Sequence, residues 1–262
     1  MNVLVIGDKC LDVFIYGDIH RISPEAPVPI FVPTHETKNE GMSKNVVNNV
    51  ESLEMTVYSL TNETSIVKKR YVDSRSNQMV LRVDEHDYCD RIDKKILSGI
   101  VDNSFTPIFG HKTKLDAIII SDYCKGFLEE EDIQFICENN NNVFVDTKKK
   151  LGKWIQCADF IKINELEYQK NHELLSEEGF DDKLIVTLGG NGCRYKDKVF
   201  SVEEVPVKDV SGAGDTFIAG LVKEYLETNN IESAIQFAQK CTTRVVQKHG
   251  VEMVTLEELQ NG

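Results

Sequence analysis

The chain has 262 residues, 41% hydrophobic and 28% charged, a length and balance that suit one large globular domain with a small appendage. A formal charge of −13 argues against a general binder of nucleic acid or anionic membrane, so phosphate ligands would be held locally, by helix N-termini, a few cations and a metal ion. Seven scattered cysteines, an odd number with no Cys-x-x-Cys pair, read as reduced thiols of a cytoplasmic protein rather than disulfides or a zinc site.

The chain begins directly on a strand over residues 2–7, with no basic leader and no long apolar run, so neither export nor a membrane span is expected. Apolar runs at 3–6, 117–120, 143–145, 160–163 and 184–188 alternate with predicted helices at 43–53, 91–101, 130–138 and 165–175. Buried runs alternating with helices predict an α/β fold, a mostly parallel sheet covered on both faces. Two long helices, about 213–227 and 231–248, close the chain. Short strands at 13–16 and 27–32, and an alternating pair at 66–72 and 78–83, fall outside this rhythm and predict a small β lid.

The stretch 209–222 carries the strongest chemical signal. Gly212-Ala213-Gly214 forms a small-residue turn leading into Asp215 at the head of an apolar helix. Such a turn lets the N–H groups of Ala213, Gly214 and Asp215 converge where the helix dipole favours an anion. A carboxylate beside that hole can take a proton from an attacking hydroxyl while the hole holds charge on a transferred phosphoryl group. A glycine turn with an aspartate cap is the plainer reading.

Other constellations sit at predicted strand ends. Asp12 follows Gly7-Asp8 and is placed to grip sugar hydroxyls or to act as a solvated loop acid. Gly41 and Asn45 open a helix, where Asn45 can donate to a ligand or Ser43 can simply cap. Asn164-x-x-Glu167 suits a phosphate contact with water-mediated Mg²⁺ binding; without context a capping box is the better reading. Thr187-Leu-Gly189-Gly-Asn-Gly192 can lie along a nucleotide or merely turn into the next strand. The six histidines show no metal-ligand spacing.

The 209–222 stretch matches the signature of the pfkB (ribokinase-like) sugar kinases. Val-Ile-Gly-Asp-x-x-Leu-Asp at 5–12 and Arg-Ile-Ser-Pro-Glu-Ala-Pro-Val-Pro at 21–29 resemble the heptose-7-phosphate kinase branch, the kinase half of bifunctional ADP-heptose synthesis proteins. Val67-Lys-x-Arg70, Leu81-Arg-Val-Asp84, Ser121-Asp-Tyr-x-Lys-Gly126 and Val145-Asp-x-Lys148 extend the likeness over nearly the whole chain. There are departures. Met42 stands where the family usually has a second glycine, narrowing the space beside the sugar, and tens of residues are missing between 61 and 66. Gln239-Lys-Cys-Thr-Thr243 replaces an asparagine and small residues beside the adenine.

The resemblance implies a three-layer ribokinase-like fold and an ATP- and Mg²⁺-dependent kinase forming heptose 1,7-bisphosphate. Asp215 would be the base, with Gly212, Ala213 and Gly214 shaping the anion hole. Asp12, Gly41 and Asn45 would orient the sugar, with Lys68, Arg70 or Arg82 facing its distal phosphate. Asn164, Thr187, Gly189, Gly192, Gly214 and Gln239 would meet ATP, Glu167 would organise the metal, and Asp209 would help shape a monovalent-cation site. Also implied are a homodimer joined through the lids and a separate nucleotidyltransferase for a later step. Another pfkB kinase acting on ribose, fructose or a nucleoside, and a degenerate non-catalytic sugar- or nucleotide-binding protein, are the alternatives.

Overall fold

Strands with no polar residue facing outward must be covered on both sides, and the inner strands of the main sheet are buried in this way. The structure is a computed structural model and describes residues 1–106, 110–176 and 179–260. The chain opens with β1 (Asn2–Gly7), β2 (Lys9–Ile22), β3 (Pro29–Met42), α1 (Ser43–Ser52) and β4 (Thr56–Thr61). Then come β5 (Ile66–Asp73), β6 (Gln78–Glu85), α2 (Lys94–Ser98) and a minimal strand pair, β7 (Ser104–Phe105) with β8 (Thr113–Lys114). Alternation resumes through β9 (Ala117–Asp122), α3 (Glu130–Asn139), β10 (Val143–Thr147), β11 (Phe160–Asn164), α4 (Glu165–Lys170), α5 (His172–Leu175) and β12 (Leu184–Thr187). The chain continues with β13 (Cys193–Tyr195), β14 (Lys198–Phe200), α6 (Ala213–Thr228), α7 (Ile231–Val245) and α8 (Leu256–Gln260).

The main sheet runs β14-β13-β12-β11-β10-β9-β1-β4, parallel from β12 to β4 and antiparallel at its β13–β14 end. Its side chains sort with the strand period of two. Val3, Val5, Ile119 and Phe144 share one core with Val46, Phe217 and Ala234 from α1, α6 and α7. Leu4, Ile6, Ile118, Ile120 and Val145 share the opposite core with Ile133 and Ile136 of α3. The result is the three-layer arrangement expected, with every parallel strand ending on one edge. At that edge β1 and β9 approach so closely that a Cβ at Gly7 would lie 1.8 Å from the Ser121 carbonyl oxygen. Only glycine fits there.

The lid is a second sheet of order β3-β2-β5-β6, with β2 and β5 parallel and the outer pairs antiparallel. Its first two strands are 14 residues each, not the short pieces expected at 13–16 and 27–32. The polar run from Thr34 to Glu40 carries no hydrophobic signal, yet from His35 to Glu40 it pairs residue by residue with β2 as a charged edge strand, Thr34 falling at a register shift. Two predicted helices also contract. The one expected at 91–101 keeps only α2, started by the Asp93 side chain accepting from Lys95 N at 2.6 Å and capped by Gly99. The one expected at 165–175 divides at Asn171, whose side chain bonds the backbone of Leu151 and Glu167. Among the described residues, no helix is long and apolar enough to cross a membrane.

Candidate active site

The turn before α6 follows from its residues. Gly212 adopts a left-handed φ of 78°, and a Cβ there would sit 2.6 Å from Asn45 Nδ2. Glycine is therefore required by backbone and by space. The N–H of Ala213 is already engaged by the Val210 carbonyl at 3.2 Å, which corrects the expectation that it helps form the anion hole. A turn this tight closes on itself before the helix begins. No acceptor among the described residues takes the N–H of Gly214 or Asp215, so these two remain at the positive end of the 16-residue helix.

Asp215 is buried, 6% exposed, and both its oxygens are held. Asn45 donates to Oδ2 at 2.7 Å and the Tyr123 hydroxyl donates to Oδ1 at 2.9 Å. Burial pushes its pKa up to about 6, assisted by Asp146 and opposed by Asn45, Lys162 and Tyr123. A group poised there is ionised at neutral pH yet more basic than an ordinary carboxylate.

Two clefts meet at this turn. One, of about 660 Å³, lies under the lid and is lined by Asp12, Gly41, Met42, Asn45, Lys68, Arg70, Tyr123, Asp209, Gly212 and Asp215, among others. The other, of about 680 Å³, is lined by Thr187, Gly189, Gly192, Val205, Val207, Ala213, Gly214, Phe217, Gln239 and Thr243, among others. Of the residues expected around a sugar, Asp12, Gly41, Asn45, Lys68 and Arg70 line the first cleft, and of those expected around a nucleotide, Thr187, Gly189, Gly192, Gly214 and Gln239 line the second, with α6 entering at the seam.

Within the first cleft the cations differ. Arg70 donates to Asp12 Oδ1 at 2.5 Å and lies over the Phe14 ring, so each charge is committed to the other. Gly41 makes room for that pair, since a Cβ would fall 2.1 Å from Asp12 Oδ2. Arg82 is not among the lining residues and forks onto Asp84 of its own strand. Lys68, 8% exposed, lines the cleft with no hydrogen-bond or ion-pair partner among the described residues. Met42 lines it too, at φ 59° and ψ −133°, a backbone conformation that favours glycine.

Asn164 and Glu167 line neither cleft. They form a capping box, Asn164 Oδ1 accepting from Glu167 N at 2.9 Å and Glu167 Oε2 from Asn164 N at 2.8 Å. The other oxygen of Glu167 accepts from Lys148 at 2.8 Å. Lys148 and Lys162 both reach Asp146, at 3.3 and 2.5 Å, and hold its carboxyl below the usual range against the opposing effect of burial. Lys162 abuts the turn, its Nζ lying 2.9 Å from where a Gly214 Cβ would be. Gln239 donates to the Phe200 carbonyl at 2.5 Å. Tyr123, Asp146 and Lys162 received no role from the sequence. A lysine inside an otherwise apolar strand was the available signal for Lys162.

The profile described as pfkB family carbohydrate kinase matches residues 113–258. The bifunctional protein HldE of a Nitratiruptor species is 30% identical over 303 aligned positions, covering 99% of this chain and 64% of that protein. The bifunctional protein HldE of Helicobacter pylori is 31% identical over 302, covering 98% and 66%. The chain therefore spans about two thirds of the length of these curated relatives, which also carry residues that it lacks. Among solved structures, the Methanocaldococcus jannaschii nucleoside kinase, an archaeal member of the ribokinase family, superposes with a TM-score of 0.66 at 17% identity, covering 100% of this chain and 98% of that one. Arabidopsis thaliana ribokinase complexed with ribose and ATP gives 0.70 at 12%, covering 99% and 97%. The fold is ribokinase-like, and the chain belongs to the pfkB family of carbohydrate kinases, phosphotransferases with an alcohol group as acceptor.

Proposed function

We propose that the chain transfers the γ-phosphate of ATP to the anomeric hydroxyl of D-glycero-D-manno-heptose 7-phosphate, giving the 1,7-bisphosphate. The observation that carries this reading is Asp215 at the seam of two clefts, facing the lid cleft beside two unpaired N–H groups. The sugar phosphate occupies the lid cleft and ATP the cleft of Thr187, Gly189, Gly192 and Gln239. Asp215 takes the hydroxyl proton as the sugar oxygen bonds to the γ-phosphorus, and the bond to the bridging oxygen breaks with its electrons leaving on ADP. Gly214 and Asp215 N–H stabilise the charge spread over the transferred group. Asp12 and Asn45 orient the sugar, and Lys68 receives its 7-phosphate.

No group of three His, Cys, Asp or Glu side chains among the described residues is arranged to hold a metal ion, and both Glu167 oxygens are engaged. In this reading magnesium would arrive on the nucleotide and neutralise phosphate charge there, while Glu167, expected to organise it, is committed to its capping box and Lys148 and lines neither cleft. The lid makes the chain a homodimer in this reading. The test is ³¹P NMR and mass spectrometry after incubation with ATP and a panel of sugar phosphates. Heptose 1,7-bisphosphate and ADP are expected. Preference for ribose, fructose or a nucleoside, or no turnover by folded protein, would overturn the assignment.

A further inference from the structure

We propose that Tyr123 is a positioning residue for phosphoryl transfer: its hydroxyl holds the Asp215 carboxylate in place and, once that carboxylate is protonated, turns from hydrogen-bond donor to acceptor. The proposal rests on the reading of Asp215 as the base. Asp215 has two side-chain donors, and they are not equivalent. The Asn45 amide is fixed, because its oxygen accepts from Asn49 Nδ2 at 3.3 Å while its nitrogen donates to Asp215. An amide nitrogen cannot accept a hydrogen bond, whereas a phenol oxygen both donates and accepts. When the sugar O–H bond breaks and its proton bonds to Asp215, only the Tyr123 hydroxyl can reverse its role without disturbing the packing. The tyrosine proton stays on its own oxygen throughout.

The ring is well anchored for this task. Tyr123 N donates at 2.6 Å to Asp8 Oδ2, a carboxylate with no solvent exposure at the end of β1, and Lys148 Nζ lies 5.9 Å from the ring centroid. The charged and titratable groups facing the Tyr123–Asp215 pair are Asp146 on β10, Lys162 on β11, Lys148 after β10 and Cys10 on β2. Burial first, then Asp215 and Asp146, keeps the phenol pKa well above its ordinary value, so the hydroxyl is neutral across the working range.

Tyr123→Phe keeps the ring and removes the hydroxyl. Loss of a donor to the charged carboxylate makes Asp215 harder to ionise, so the acid limb of the kcat profile moves to higher pH, by about one pH unit. From this shift we expect kcat to fall about twofold at pH 7 and roughly 10-fold at about pH 5, with KM for ATP unchanged. In protein carrying ¹³C at aspartate carboxyls, the Asp215 resonance, identified by its loss in Asp215→Asn, should titrate higher by the same amount without any substrate. A carboxyl titration unmoved in Tyr123→Phe overturns the contact while leaving the base reading intact. A loss of kcat uniform in pH and matched by a lower Tm reduces Tyr123 to packing and overturns the proposal. Near-normal turnover by Asp215→Asn sinks the base reading and the role reversal with it.

Discussion

Asp215 suits the proposed role of base because its surroundings work in opposite directions. Burial disfavours its charge, while Asn45, Lys162 and Tyr123 favour it, and the balance leaves a pKa of about 6. Below that value the carboxyl proposed as base carries a proton. Activity limited by this group should therefore rise about tenfold per pH unit on the acid side and level off above pH 6, as a pH–rate profile at saturating ATP would show. Asp215→Asn keeps the size of the side chain and removes the proton acceptor; kcat should drop by roughly 10²–10⁴ with ATP affinity retained, measured by steady-state kinetics and calorimetry. Met42 presents a different balance. Its backbone strain costs on the order of 1–3 kcal/mol, whereas loss of a buried methionine side chain costs about 2–5 kcal/mol. Packing wins, so Met42→Gly should lower stability in urea denaturation despite relieving φ. A more stable variant would show that strain dominates.

At the scale of elements, the lid separates cations that the sequence lists as equals. Lys68, Arg70 and Arg82 lie on adjacent strands, with Arg70 directly opposite Arg82. Arg70 belongs to Asp12 and Arg82 to Asp84, which leaves Lys68 as the buried uncommitted cation of the lid strands among the described residues; Lys208 also lines the cleft but is exposed. Lys68→Ala should raise KM for the sugar phosphate roughly 10- to 100-fold and leave a sugar without phosphate unaffected, whereas Arg82→Ala should change neither. Equal effects of the two substitutions would remove Lys68 from this role. The parallel strands and the Gly212–Asp215 turn were legible because continuous apolar runs and glycine spacing are local properties. The partners of Asp215 were not, since Asn45 and Tyr123 lie 170 and 92 positions away and meet it only through the sheet order. Lid strand lengths were hidden for a related reason: β3 is held by its pairing with β2, and its polar residues carry no hydrophobic period.

For the molecule as a whole, the lid poses the remaining question. Cys10, Asp12, Phe14 and Tyr16 of β2 face the cleft, so by alternation Ile15 faces away, in register with Tyr71 and through it with Leu81. Phe31 packs edge-on against Tyr71 at 5.4 Å and extends this outward apolar row, while Leu81 is 54% exposed. Both edge strands, β3 and β6, have a free side among the described residues. A four-stranded sheet with an apolar outer face and open edges calls for a cover, and a second copy of the same lid would supply one about a two-fold axis. We expect light scattering at micromolar concentration to give the mass of a dimer, and Leu81→Glu to give a monomer, because each subunit would place a charge in the same buried seam. A monomeric wild type, or a dimer indifferent to Leu81→Glu, would mean that the lids do not pair through this face.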